Sequence, residues 1–269
     1  MSKERKILIA GNWKMHKTNE EAVDLVNQIK KEVSQIQEVD IVVCPPFTAL
    51  SDVKKIISDT NIKLGAQNMY FESEGAFTGE ISPKMLKSIG CEFVIIGHSE
   101  RRKYFKEDDS LINKKLKSAL EWDLTPIFCV GETLEERENN LTLQVLERQL
   151  REGLKDFTKN QVLKIIIAYE PVWAIGTGKT ATPLQAQSAQ SFIREFLNKN
   201  FEGAGKFVRI LYGGSIKPEN IRDLVSQKDV DGGLVGGASL KSDSFVKTVS
   251  YTHLRAHETE ADLVCRLLL

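Results

Sequence analysis

Eight short apolar runs recur along the chain, each followed by an amphipathic segment, and this alternation constrains the fold more than any other feature. The runs are Ile7–Ala10, Ile41–Cys44, Ile62–Ala66, Phe93–Ile96, Pro126–Val130, Ile165–Tyr169, Phe207–Tyr212 and Gly233–Val235. Most lack a polar residue at every second position, which is how strands covered on both faces of a parallel sheet read. Helix start signals lie between them. Thr18-Asn19-Glu20-Glu21 is a capping box leading into Ala22, Val26, Ile29, Val33 and Ile36 along one face. Thr133-Leu134-Glu135-Glu136 and Thr182-Pro183-Leu184-Gln185 repeat the device, the second with Pro at the first helical position. Strand–helix alternation predicts a parallel α/β protein without separating an open sheet from a closed one. Eight units favour a single-domain (β/α)8 barrel over about residues 1–249, with function on the loops that follow the strands.

Composition narrows the partners. The chain has 269 residues, with Lys+Arg 37 balancing Asp+Glu 37 at formal net charge +0. That balance argues against nucleic acid or an anionic membrane recognised by bulk charge, and leaves room for a local anion site. The four cysteines (Cys44, Cys91, Cys129, Cys265) form no C-x-x-C pair and have no His at metal-ligand spacing, so reduced thiols and no metal are expected. No apolar run approaches the roughly 18 residues of a membrane span. Ile7–Gly11 is too short for a signal-peptide core, so a cytoplasmic location is expected.

The strand ends carry the chemistry. The first ends in Gly11-Asn12-Trp13-Lys14, where a period of two puts Asn12 and Lys14 on one side and Trp13 on the other. An amide beside an ammonium suits an anionic substrate with a polarisable oxygen; a solvated lysine is the plain alternative. The fourth ends in Gly97-His98-Ser99-Glu100, in which Ser99 and Glu100 are candidate partners to fix the imidazole tautomer. A satisfied core histidine reads equally well there. The sixth ends in Tyr169-Glu170-Pro171, a carboxylate at a strand mouth whose burial is expected to raise its pKa towards that of a general base. Pairing of Glu170 with an Arg or Lys is the alternative. Trp173-Ala174-Ile175-Gly176-Thr177-Gly178 then joins an apolar tip to two glycines, as a closing lid would. Gly176-Thr177-Gly178-Lys179-Thr180 lacks the spacing of a nucleotide phosphate loop. Tyr212-Gly213-Gly214-Ser215 and Gly236-Gly237-Ala238-Ser239 end consecutive strands, where glycines let backbone N–H groups approach a phosphate. The residues alone give a barrel enzyme for a small phosphorylated substrate, with Glu170 as base and His98 and Lys14 as electrophiles.

These segments, with Gly-His-Ser-Glu-Arg-Arg at 97–102, Ala-Tyr-Glu-Pro-Val-Trp-Ala-Ile-Gly-Thr-Gly at 168–178 and Gly-Gly-Ala-Ser-Leu at 236–240, closely resemble the triosephosphate isomerases, in order from about Lys6 to Val249. The resemblance implies interconversion of D-glyceraldehyde 3-phosphate and dihydroxyacetone phosphate through an enediolate, without a cofactor. It implies that Glu170 moves the proton, neutral His98 donates to the oxyanion, Lys14 stabilises negative charge and Asn12 orients the substrate. Gly176, Ser215, Gly236 and Gly237 would contact the phosphate. Glu100 would support the site, and Cys129 would be a buried cysteine behind it rather than a nucleophile. The loop 67–79 would insert into a partner subunit, with Thr78 reaching the partner's site, so a homodimer is expected. An aldolase would need a Schiff-base lysine or a metal, and a non-catalytic sensor would not need the set of Asn12, Lys14, His98 and Glu170. Residues 250–269 match no element of the barrel and read as read-through, vector-derived sequence or a gene-model error; His253, His257 and Cys265 there are a weak basis for a metal site.

Overall fold

The computed structural model describes residues 5–175 and 180–252. Eight parallel strands close into a barrel in sequence order: β1 Ile7–Asn12, β2 Val39–Cys44, β3 Ile62–Ala66, β4 Phe93–Ile96, β5 Thr125–Val130, β6 Ile166–Tyr169, β7 Ile210–Tyr212 and β8 Gly232–Val235. Pairing of Ala10 with Leu234 and of Gly11 with Val235 closes the seam. The (β/α)8 reading of the sequence is the fold observed.

Both faces of the sheet are apolar because each faces a different core. One buried cluster fills the barrel interior and includes Leu8, Ala10, Ile95, Cys129, Ile166, Ala168, Leu211 and Leu234. The other lies between strands and helices and takes residues of the opposite parity, such as Ile9, Val94, Phe128, Ile167 and Val235. The capping boxes at Thr18, Thr133 and Thr182 all form, each with the side-chain oxygen accepting the backbone N–H of the residue three further on. The helix Asn19–Val33 buries Ala22, Leu25, Val26, Ile29 and Val33 against the sheet. Among the described residues no helix is long and apolar enough to cross a membrane.

Two sequence expectations are corrected here. The seventh strand begins at Ile210, not Phe207: residues Ala204–Lys206 form a single 3-10 turn, Arg194 Nη1 takes the Val208 carbonyl at 3.0 Å, and Phe207 is left 62% exposed. Met69, in the loop 67–79 expected to insert into a partner subunit, is not available for that contact: it is buried in its own chain. That loop packs on itself, with Tyr70 against the rings of Phe71 and Phe77 at 4.4 and 4.7 Å and Tyr70 N–H donating to Ile81 O at 2.8 Å. The chain is helical through residues 242–252; the rest of the tail, with His253, His257 and Cys265, lies outside the described residues.

Candidate active site

Strand parity delivers most of the site. Ala10, Ala168 and Leu234 point into the barrel, so Asn12, Glu170 and Gly236, two positions further on, continue inward at its C-terminal mouth. Parity alone would send His98 outward, because Ile95 points in and Ile96 out. Gly97 reverses this with φ +73, a conformation that an L side chain rarely adopts, and so swings His98 over the mouth. Asn12, Lys14, His98, Glu170, Ser215, Gly236 and Gly237 all line one cavity of about 560 Å³.

Glu170 is buried, and its two oxygens are separately held: Oε1 stands 2.9 Å from His98 Nε2, and Oε2 accepts the Ser99 N–H at 2.8 Å. Burial alone would raise its pKa, as expected from sequence, but His98, the Ser99 N–H and Lys14 outweigh burial and hold the carboxyl below the usual glutamate value. Ser99 therefore braces the carboxylate, not the imidazole. The imidazole is fixed by Glu100, whose backbone N–H donates to His98 Nδ1 at 3.2 Å. Burial disfavours an imidazolium, yet the carboxylates of Glu170 and Glu100 outweigh it and hold the His98 pKa above its ordinary value. The resting tautomer follows from the hydrogen bond rather than from this charge balance. A proton on Nδ1 would meet the Glu100 N–H head on, so the proton sits on Nε2 and points at Glu170.

A stability signature follows. The folded pKa of Glu170 is depressed, so its contribution is present above the unfolded value of about 4.3 and is lost as pH falls through the folded one. Because the same pairing raises the His98 pKa, the difference in Tm between the wild type and Glu170→Gln is expected to be largest between about pH 4.5 and 6.5. It is expected to shrink below about pH 4 as Glu170 protonates, and to shrink again as pH rises through the folded His98 pKa. A gap that keeps widening below about pH 4 would contradict the described pairing.

Lys14 does not reach the cavity by strand periodicity. Its backbone has φ +52, and the turn is held from both sides. Asn12 Oδ1 accepts the Lys14 N–H at 3.1 Å, while Gln67 Nε2 donates to Lys14 O at 2.8 Å and to Cys44 O at 3.0 Å. The ammonium meets Glu100 Oε1 at 2.5 Å. Gln67 was not singled out as a support from sequence, because a contact across 53 positions leaves no local signal. Asn220 was missed in the same way: it accepts the Lys217 N–H at 2.9 Å and donates to Ser215 O at 3.1 Å, bracing the turn that carries Ser215.

At the opposite wall, a Cβ on Gly236 would touch only Lys14 Cε at 3.6 Å, and one on Gly237 nothing within 4 Å. Packing within the protein does not call for glycine at either, whereas a group occupying the cavity would. Cys129 is buried inside the barrel, and burial together with the nearby Glu170 carboxylate pushes its thiol well above the ordinary range, which is no environment for a nucleophile. Thr78 is exposed, away from the cavity of its own chain. Gly176 and the centre of the expected lid, 176–179, lie outside the described residues. Among the described residues no cluster of three or more His, Cys, Asp or Glu could hold a metal ion.

Fold and site together define a (β/α)8 barrel enzyme that sets one carboxylate, one imidazole and one ammonium around a strand-end cavity floored by glycine. Comparison with known proteins gives the family. Residues 7–252 match the family described as triosephosphate isomerase. The chain is 57% identical to the triosephosphate isomerase of Endomicrobium trichonymphae over 248 residues, covering 92% of this chain and 99% of that one. It is 59% identical to that of Carboxydothermus hydrogenoformans over 247 residues, 91% of this chain and 98% of the relative. The triosephosphate isomerase of Fusobacterium nucleatum is 56% identical, again over 91% and 98%. The chain belongs to the triosephosphate isomerase family.

Proposed function

We propose a division of labour among the cavity residues for the reaction of this family, with the catalytic step carried by Glu170. The chain interconverts D-glyceraldehyde 3-phosphate and dihydroxyacetone phosphate, a step of glycolysis and gluconeogenesis. Glu170 takes a proton from the carbon beside the carbonyl. The C–H electron pair becomes the C=C bond of an enediolate, and the carbonyl π pair moves onto oxygen, facing the His98 Nε2–H and the Lys14 ammonium. The oxyanion then takes a proton and the neighbouring hydroxyl loses one, with His98 Nε2 placed to pass it between the two oxygens. The charge now on the second oxygen re-forms a C=O bond as Glu170 returns its proton to the neighbouring carbon, and the net reaction needs no oxidant, reductant or cofactor. The observation that carries this reading is the Glu170 carboxylate held at 2.9 Å from His98 Nε2, in the same cavity as Lys14.

The resting geometry has Glu170 parked on Ser99 and His98. When substrate draws it onto a C–H bond, the largest influence raising the His98 pKa departs, while burial and Lys14 remain. Both favour the neutral imidazole that donates well to an oxyanion. Asn12 has its Oδ1 committed to the Lys14 N–H, which leaves its NH2 for the substrate. Gly236, Gly237, Ser215 and, on the lid, Gly176 receive the phosphate through backbone N–H groups. Closure of the segment 171–180 keeps water from the enediolate. Isomerisation assayed on the chain and on Glu170→Asp tests this reading.

The working assembly is a homodimer joined through the loop 67–79. Phe77 is 41% exposed at its tip, Met15 beside Lys14 is 95% exposed, and Asn68 Oδ1 at its root accepts from buried Lys115 Nζ at 2.9 Å. Thr78 then meets the partner subunit near Lys14. Sedimentation equilibrium is expected to give twice the chain mass, and Thr78→Arg to shift the protein towards monomer with a lower kcat; a monomeric wild type of full activity would contradict it. The site, charge balance and folded core fit a cytoplasmic enzyme with neither nucleic-acid nor membrane partner.

A further inference from the structure

The barrel leaves one edge unpaired beside the catalytic carboxylate. β4 and β5 pair as far as Ile96 with Phe128, after which Gly97 turns the chain away into the helix Ser99–Tyr104. β5 runs on without that neighbour. On its other side the ladder continues past the strand ends, with the Glu170 N–H donating to Val130 O at 2.7 Å and the Val172 N–H to Glu132 O at 3.0 Å. Between those two bonds sits Gly131, whose own peptide groups face the vacated edge.

Gln149 occupies that edge. From the helix Thr142–Gly153, its Oε1 accepts the Gly131 N–H at 2.7 Å and its Nε2 donates to Gly131 O at 3.1 Å. A primary amide offers one donor and one acceptor in a plane, so a single buried side chain replaces the missing strand. Two residues earlier on the same edge, Arg102 Nη2 donates to Cys129 O at 3.3 Å. Gly131 in turn lies flat on the catalytic residue: a Cβ there would fall 1.8 Å from Glu170 O, which nothing short of backbone movement could relieve.

We infer that Gln149 is a positioning residue for catalysis, fixing the Gly131 peptide and through it the backbone of Glu170 and the root of the lid. The inference rests on Glu170 being the base. Holding the Gly131 peptide keeps β5 extended, and the extended β5 presents Val130 O and Glu132 O at the spacing that Glu170 and Val172 require. A cavity of about 720 Å³ lined by Gly131, Gln149, Ser99 and Trp173 adjoins this edge, so water can reach the peptide if the amide is removed. Loss of Gln149 therefore relaxes the position of the base rather than unfolding the barrel.

The test uses Gln149→Leu and Gln149→Glu in the full chain, with Glu170→Gln alongside. For Gln149→Leu, kcat is expected to fall about tenfold or more with KM within about threefold. Affinity for phosphoglycolate, whose planar carboxylate mimics the enediolate against Glu170, falls in parallel, whereas affinity for inorganic phosphate does not change. Gln149→Glu separates positioning from packing. When ionised, the carboxyl group introduced by Gln149→Glu accepts from the Gly131 N–H but repels its carbonyl. When protonated, it donates and accepts as the amide does. The kcat of this variant relative to wild type is expected to recover as pH falls through the titration of that carboxyl, and the deficit of Gln149→Leu to stay flat with pH. A wild-type kcat in Gln149→Leu, an equal loss of phosphate affinity, or a Gln149→Glu deficit independent of pH would each overturn the inference. Should Gln149→Leu fail to fold, the pH profile of Gln149→Glu decides alone. A Glu170→Gln variant of normal kcat would instead overturn the assignment of the base.

Discussion

Shortening Glu170 to Asp is expected to reduce kcat by about 10²-fold or more while changing KM by no more than a few-fold. The substitution keeps the charge and withdraws the carboxylate by one methylene, and a misplacement of about 1 Å from the reacting atom costs on that order. A hundredfold loss corresponds to about 2.7 kcal/mol of transition-state stabilisation. In the proposed division of labour substrate binding rests on the phosphate cradle at Ser215, Gly236 and Gly237, which line the same cavity and which the change does not touch. The backbone of Glu170 stays fixed by Val130, so the shorter side chain cannot follow the substrate. Steady-state kinetics separates the two parameters. A large rise in KM with intact kcat would make Glu170 a binding group and remove it as base.

Replacement of Lys14 carries the second large effect, and it splits activity from stability. The proposed reaction sets the Lys14 ammonium against the negative charge of both the developing oxyanion and the phosphate, so Lys14→Met and Lys14→Gly are expected to lose about 10²–10³ in kcat and to raise KM as well. Their stabilities should differ in the opposite sense to function. Lys14 sits at φ +52, and a non-glycine residue there costs on the order of 1–3 kcal/mol, held in place by Asn12 and Gln67. Methionine keeps that strain and glycine removes it, at the expense of about 0.4–1 kcal/mol in unfolded-chain freedom. The half-buried ion pair with Glu100, absent from both variants, cancels in the comparison. Lys14→Gly is therefore expected to melt a few degrees above Lys14→Met. Equal or reversed melting temperatures would show that the left-handed turn stores no strain.

Much of this molecule was legible in its sequence because the information was local. Unbroken apolar runs such as Phe93–Ile96 and capping boxes such as Thr182 to Gln185 specify elements by their own residues, and eight of them leave few ways to close a sheet. The strand-end motifs put Asn12, Lys14, His98, Glu170, Ser215, Gly236 and Gly237 in one cavity, as the reading of the residues required. What stayed hidden depends on contacts between distant positions. Simple alternation misplaces His98 until the φ of Gly97 is known, and explains Lys14 by a strand that has already ended at Asn12. Burial of Glu170 was foreseeable, but not the His98 and Ser99 partners that reverse its effect on the pKa. Gln67 and Gln149 are ordinary glutamines in the sequence, and only the fold reveals that each holds the backbone beside a catalytic side chain.

The central claim is that this chain, with residues 250–269 attached, isomerises triose phosphates through Glu170. Its most direct test is turnover of D-glyceraldehyde 3-phosphate by the purified full-length protein, read by a coupled enzyme that consumes dihydroxyacetone phosphate. The expected result is rapid turnover that phosphoglycolate abolishes and that Glu170→Asp lowers by about 10²-fold or more. A soluble, folded protein with no turnover, or turnover indifferent to Glu170, would contradict the account.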